Sequence, residues 1–348
     1  MKSTLRILCL LIAALTILTG CAETTAGQSE TDTEAALTGG AESTGEQTTG
    51  VSTVEVPDTP DFTAPELTEE TVEVDFDTDL IKPDRDIKAP YAILIDVNTK
   101  TVLYTKGGAD EKIYPASVTK LLTALVALQN CDPEIEFTPG DELDMVAYDA
   151  SIAYIKSNHT LTLEMLIEGM LLPSGGDAAY VIAAGVGRIL TGSVYSTAEE
   201  SVDAFVKEMN RYAKSIGMND SNFVTPDGYH RDEHYTTLHD VALLGMAAIE
   251  NEIIMKYAAT YYDKVTYASG HINEWTNSND LINPGSDYYY EYATGLKTGT
   301  TDEAGYCLLS SAKKGEREVI AGIFGSTSRS NRNKDALELL QKGLEWQG

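Results

Sequence analysis

Apolar, β-rich runs stand at both ends of the body of this 348-residue chain, with helical patterns filling the distance between them. Ala89 to Asp96 is the first such run. Val97-Asn98-Thr99-Lys100 supplies a turn, and Thr101 to Thr105 returns as a second strand. Near the C-terminus, Gly295 to Gly299, Gly305 to Ala312 and Val319 to Phe324 read as three further strands, with residues 313–317 turning between the last two. Helices are expected from Val118 to about Gln129, over Leu161 to Leu172, from Ala178 to about Leu190, over Thr197 to Ile216 and over Leu238 to Ala248. Asp177 is placed to N-cap the third of these, and residues 333–346 close the chain as an amphipathic helix. Strands first and last with helices between predict an α/β sandwich. The terminal strands share one antiparallel sheet, flanked by helices and an all-helical region.

The stretch with most chemistry is Ser117-Val118-Thr119-Lys120. Positions i and i+3 lie one turn apart on a helix face, so the lysine ammonium reaches the serine hydroxyl. A desolvated lysine near a second cation loses its proton near neutral pH and serves as the base that a serine nucleophile needs. Ser117 opens the helix, where free backbone N–H groups favour developing negative charge. Alone, this spacing is weak, because chance and a plain surface helix produce it. Lys297-Thr298-Gly299, 177 residues after Lys120, makes the pair specific.

The first 81 residues are different material. In residues 1–20 a basic start with Lys2 and Arg6 precedes the apolar run Ile7 to Leu18, too short to span a bilayer comfortably. Leu18-Thr19-Gly20-Cys21 resembles a bacterial lipobox, with Cys21 diacylated as the mature N-terminus. The bland reading is an ordinary secretory signal with a chance cysteine. Residues 22–79 carry 16 acidic residues and no lysine or arginine, so residues 21–81 read as a disordered, self-repelling tether. The body, residues 82–348, is still acidic, which argues against nucleic acid as a partner. Cys131 and Cys307 are expected as buried free thiols rather than a disulfide.

From about Ile87 to Leu344 the chain resembles the serine-type D-alanyl-D-alanine carboxypeptidases, the low-molecular-mass penicillin-binding proteins of peptidase family S11. The likeness is carried by Ala92-Ile-Leu-Ile-Asp96, Pro115-Ala-Ser-Val-Thr-Lys120, Asp227-Gly228-Tyr229, His234-Tyr-Thr-Thr237, Tyr292 to Gly299 and Thr301 to Cys307. It implies a β-lactamase/transpeptidase-like fold and acyl transfer without a cofactor or metal. The substrate would be a peptidoglycan stem peptide ending in D-Ala-D-Ala, and β-lactams would be covalent inhibitors. Ser117 would be the nucleophile, Lys120 its base and Ser174 a proton shuttle. Lys297 would hold Lys120 neutral, and Thr298, Gly299 and Thr300 would bind the substrate carboxylate. The backbone N–H groups of Ser117 and Thr300 would form the oxyanion hole. Arg332 resembles the family's additional carboxylate-binding arginine, with Arg329 the alternative. The lipid on Cys21 would hold the protein at the outer face of the cell membrane.

One departure stands out. The family's middle motif is S-x-N, and this chain has Ser174-Gly175-Gly176, with Asn158 a candidate substitute for the missing amide. Three other readings compete. A β-lactamase would want a deacylating glutamate, yet Glu164 and Glu168 precede the middle motif. A wall-binding module would keep the fold without turnover, as Gly176 suggests. A zinc peptidase could draw on His230, His234 and His239, but loop residues surround them where a helix is wanted. Tyr288 to Tyr292 are read as packing before a strand, and Trp275 as a loop anchor.

Overall fold

The computed structural model describes residues 80–347. The signal segment, Cys21 and the tether up to residue 79 lie outside the described residues. Two strands open the body, β1 (Tyr91–Asp96) and β2 (Thr101–Lys106), followed by a 3₁₀ turn over Ala116–Thr119 that runs into α1 (Lys120–Asn130). The two-residue strands β3 (Glu136–Phe137) and β4 (Leu161–Thr162) pair with each other. Then come α2 (Leu163–Leu171), α3 (Gly176–Thr191), α4 (Ala198–Ser215), α5 (Leu238–Ile249) and α6 (Glu252–Ala258). The hairpin β5 (Tyr262–Thr266) and β6 (Ile272–Thr276) precedes β7 (Ala293–Thr301), β8 (Gly305–Lys314), β9 (Arg317–Ser326) and α7 (Arg329–Glu345).

The main sheet has the order β2-β1-β9-β8-β7 and is antiparallel throughout. β1 pairs directly with β9, from Tyr91 opposite Phe324 to Asp96 opposite Val319, so the two chain ends share one sheet as expected. Both faces are covered. Ile93, Ile95, Leu309, Ile320 and Phe324 join the large core under α1 to α6, while Ala92, Leu94, Leu308, Ala321 and Ile323 join a second core with α7 residues Ala336, Leu339 and Leu340. That is why these strands read as continuous apolar runs.

Local signals set most helix ends. Thr197 and Glu200 form a reciprocal capping box at α4. Thr237 caps α5, and α3 stops at Gly192 in the left-handed conformation (φ 64°). Several boundaries depart from expectation: Leu161–Thr162 form β4 rather than the first turn of α2, and Val118 and Thr119 belong to the 3₁₀ turn before α1. Helix α7 begins at Arg329 rather than residue 333, because Ser328 accepts a hydrogen bond from Asn331 N at 3.1 Å and so starts the helix earlier. Helix α3 begins at Gly176 with no side-chain cap, and Asp177 lies inside it. Among the described residues no helix is long and apolar enough to cross a membrane.

Candidate active site

The Ser117 turn is held in a conformation it would not choose alone. Ala116 has φ 47°, in the left-handed region that costs a residue with a Cβ about 1 kcal/mol or more. The segment from Thr225 to Thr237 over-determines it. Ile113 and Thr236 exchange two backbone hydrogen bonds, and Thr119 Oγ1 meets His234 Nε2 at 2.8 Å. Gly228 has φ 79°, and a Cβ there would stand 2.0 Å from the Ala116 carbonyl oxygen, so this approach requires glycine.

With the turn fixed, Lys120 Nζ donates to Ser117 Oγ at 2.9 Å and to the Asp227 carbonyl oxygen at 2.7 Å. The next turn repeats the attachment, with Thr123 Oγ1 donating to the Pro226 carbonyl oxygen at 2.6 Å. Lys120 is buried at 2 % exposure. Burial lowers its pKa from the ordinary lysine value, while the carboxylates of Asp227 and Asp177 act in the opposite direction.

Ser174, also left-handed at φ 66° and buried, comes from the turn between α2 and α3. Gly175 N donates to the Gly169 carbonyl oxygen and Gly176 N to that of Ser151, at 3.1 and 2.7 Å. The Asp177 carboxylate, expected to cap α3, instead accepts from Ala153 N at 2.7 Å, Ile155 N at 2.9 Å and Ala178 N at 2.9 Å. It thereby ties the 151–155 loop to the base of the site. Trp275 Nε1 donates to the Ala153 carbonyl oxygen at 3.0 Å and holds the same loop from β6.

Strand β7 forms the opposite wall. A Cβ on Gly299 would lie 2.9 Å from both Pro115 O and Ser117 N, so glycine lets this strand run against the Ser117 turn. Lys297 is buried, with Nζ donating to the Thr298 carbonyl oxygen at 3.1 Å. Burial first, then the charges of Lys120 and Arg332, hold it well below the ordinary lysine value. Thr298 Oγ1 meets Ser278 Oγ at 2.5 Å, and Thr300 is exposed at the rim.

Arg329 and Arg332 occupy the first turn of α7, where cations oppose the helix dipole. Asp280 offsets both. It accepts Arg329 Nε at 2.6 Å and the Arg329 Nη2, and lies 3.6 Å from Arg332 Nη2. Burial pushes Arg332 down to about 10, which leaves it a cation at neutral pH.

These walls enclose a cleft in two halves. One, about 200 Å³, is lined by Ser117, Ser174, Ser278, Thr298, Arg329 and Arg332, among others. The other, about 320 Å³, includes Lys120, Asp149, Asp227, Tyr229, Asp302 and Glu303. Ser117, Ser151 and Thr300 border both. The cleft is therefore cationic on one side of the serine and acidic on the other. Ser117, Lys120, Ser174, Thr298, Gly299, Thr300 and Arg332 all line it, and Lys297 is buried beside the Thr298 backbone. Asn158 is exposed and lines neither half. Sequence reasoning did not single out Ser151, Ser278, Tyr306 or the Asp227 carboxylate as site residues. The Ser278-Asn279 pair was the one available hint, since Asn279 Nδ2 donates to the Gly295 carbonyl oxygen at the start of β7.

The competing candidates have other occupations. His234 is buried and pushed down to about 3 by burial, with Nδ1 facing Val224 N at 3.2 Å and Nε2 facing Thr119. Neither ring nitrogen is left for a metal, and among the described residues no group of three His, Cys, Asp or Glu could hold one. Glu164 pairs with Lys256 and the Tyr257 hydroxyl, and Glu168 is buried with its carboxyl pushed up to about 8. Neither lines the cleft. Cys131 and Cys307 are free and buried, each pushed up to about 12 by burial. Tyr288 donates to Ser330 Oγ at 2.9 Å, and Tyr290 packs edge-on against Tyr292.

The family profile for D-alanyl-D-alanine carboxypeptidases, Peptidase S11, matches residues 78–328. D-alanyl-D-alanine carboxypeptidase DacF of Bacillus subtilis is 31% identical over 257 residues, covering 73% of this chain and 61% of DacF. D-alanyl-D-alanine carboxypeptidase of Streptomyces sp. strain K15 is 31% identical over 255 residues, covering 71% of this chain and 84% of that protein. The chain thus spans about three fifths of DacF and most of the Streptomyces enzyme. The crystal structure of the Streptomyces K15 DD-transpeptidase superposes with a TM-score of 0.68 at 30% identity, over 76% of this chain and 100% of that one. Penicillin-binding protein D2 of Listeria monocytogenes, in its ampicillin-bound form, superposes with a TM-score of 0.61 at 27% identity, over 76% of this chain and 100% of that one. With its serine–lysine pair, K-T-G strand and sheet closed by both chain ends, this chain belongs to the D-alanyl-D-alanine carboxypeptidase family, peptidase family S11.

Proposed function

We propose that this protein is a serine D-alanyl-D-alanine carboxypeptidase that removes the terminal D-alanine from peptidoglycan stem peptides. The observation that carries the reading is the 2.9 Å contact between Lys120 Nζ and Ser117 Oγ, at the meeting of a cationic and an acidic half-cleft. A carboxypeptidase must recognise a terminal carboxylate next to the scissile bond. Arg332, Thr298 and Thr300 offer that recognition on one side of the serine, with Lys297 adding positive field from beneath. Lys120, whose protonated form burial disfavours, takes the Ser117 proton as Oγ bonds to the carbonyl carbon. The backbone N–H groups of Ser117 and Thr300 hold the resulting oxyanion, each such donor contributing about 3 kcal/mol. The carbon–nitrogen bond then breaks, and Ser174 passes the proton from Lys120 to the departing D-alanine amine. Water, deprotonated by the same lysine, cleaves the acyl ester and restores Ser117. β-Lactams would be covalent inhibitors by acylating the same oxygen. In this reading the N-terminal segment directs export and Cys21 carries the lipid that holds the enzyme at the membrane surface.

The test is intact mass after incubation with penicillin, alongside D-alanine release from a stem pentapeptide. A Ser117 adduct that is lost in Ser117→Ala, together with D-alanine release, is expected. A lasting adduct without release would instead identify a binding protein. Because Lys120 must be neutral, activity should fall on the acid side as it protonates. A rate that stays flat down to about pH 5 would remove Lys120 as the base.

A further inference from the structure

The middle motif of this chain lacks a side chain at position 176, and the structure contains what fills the space. A Cβ built on Gly176 would stand 3.1 Å from Asp227 Oδ2, 3.3 Å from the Ser151 carbonyl oxygen and 3.5 Å from Ala150 Cβ. The room that a residue-176 side chain would enter is therefore occupied by a carboxylate delivered from a different loop. Asp227 is buried at 2 % exposure and borders the acidic half of the cleft. Its Oδ1 accepts from Tyr229 N at 3.0 Å, which fixes the carboxylate plane, and its backbone oxygen already accepts from Lys120 Nζ.

We propose that Asp227 is a positioning residue that replaces the missing middle-motif side chain: its carboxylate takes up the room beside Gly176, its backbone oxygen holds Lys120 Nζ, and its charge sets that lysine's readiness to take the Ser117 proton. The proposal rests on Lys120 being the base. A carboxylate differs from an amide in two ways: it only accepts hydrogen bonds, and it carries a full charge. The charge matters because four titratable groups from different elements act on Lys120 or feel it. Asp227 and Asp177, the latter on α3, favour its protonated form, whereas Lys297 on β7 and His234 are the groups its own charge disfavours. Both carboxylates oppose the burial of Lys120, Asp227 more strongly than Asp177, which is fixed in place by three backbone N–H groups. Gly176 suits this arrangement, since a larger residue would press on the carboxylate and on the Ser151 carbonyl oxygen.

The experiment is a cycle on the full-length protein: Asp227→Asn, Asp227→Ala, Gly176→Asn and the double variant Gly176→Asn/Asp227→Ala. The readouts are kcat/KM for D-alanine release and the rate of penicillin acylation, each against pH. Asp227→Asn keeps the shape and removes the charge, so the acid limb of both profiles should move to lower pH. Gly176→Asn alone should lose activity because it meets the carboxylate. The double variant should recover about ten-fold or more over Asp227→Ala, the size of coupling seen between contacting residues. Thermal melts of each variant separate this from simple misfolding. An unmoved acid limb in Asp227→Asn together with no recovery in the double variant would overturn the proposal while leaving the wild-type reaction intact. Absence of any Ser117 adduct in the wild type would instead overturn the lysine-base assignment, and this proposal with it.

Discussion

Gly299 shows how much of this site is decided by single atoms. It sits where the wall strand meets the backbone of the Ser117 turn, and a methyl group there would collide with Pro115 O, Ser117 N and Ala116 Cβ at 2.9 to 3.0 Å. All three belong to the turn whose left-handed Ala116 is already held by neighbours, so none can yield cheaply. Gly299→Ala should therefore lower penicillin acylation by about a hundred-fold, as expected when reacting groups are displaced by about 1 Å. The melting temperature should drop by only a few degrees. Acylation at the wild-type rate would mean the turn is softer than its contacts suggest. Residues of this kind were legible in the sequence because their motifs are short and local: Ser117 and Lys120 are one turn apart, and Lys297 to Gly299 are consecutive. Asp227 was visible only as part of a resemblance. Its carboxylate reaches Gly176 through the tertiary approach of two loops 51 positions apart, which no spacing rule reports.

At the scale of elements, legibility tracked burial pattern and capping chemistry. Strands β1, β8 and β9 announced themselves because both faces are covered and their middles are runs of buried, largely apolar residues. The β5–β6 hairpin did not, because each strand buries one residue, Val265 and Trp275, among exposed positions, leaving no alternation to read. The Asp177 cap failed for a physical reason: its carboxylate found three backbone donors, two of them in the 151–155 loop. That loop has few attachments of its own, and Trp275 is among the chief ones. Its ring packs on Gly169, 3.0 Å from where a Cβ would be, and its indole nitrogen holds Ala153. Trp275→Ala should cost about 3 to 5 kcal/mol of stability in denaturant titrations. It should also slow D-alanine release by loosening Ser151 at the cleft. Trp275→Phe should restore most of the packing but not the hydrogen bond. If both variants match the wild type in stability and rate, the loop is positioned by something other than Trp275, the Asn273 Nδ2 hydrogen bond to the same Ala153 carbonyl oxygen being one other attachment.

For the molecule as a whole, the buried bases and the buried acid pull stability in opposite directions with pH. His234 has a folded pKa of about 3 against an ordinary 6.5. Its contribution is therefore fully present above pH 6.5 and is lost as pH falls toward 3, because the unfolded chain takes up a proton that the folded one refuses. Lys120 and Lys297, also lowered, carry the same sign below the ordinary lysine value. Glu168 carries the opposite sign. Its folded pKa is raised from 4.5 to about 8, so its contribution is complete below pH 4.5 and is lost as pH rises through 8. Between pH 4.5 and 6.5 the histidine and the glutamate largely cancel, and the wild-type curve there says little about either. Below 4.5 Glu168 is protonated in both states and silent, while His234 still loses about 1.4 kcal/mol per pH unit. Urea unfolding of wild type and His234→Gln at pH 4.5 and at pH 3 isolates that slope. The wild type should lose about 2 kcal/mol more than the variant across this interval. Parallel losses would show that His234 already takes up its proton in the folded state, and that the contact with Thr119 supporting the Ser117 turn survives protonation.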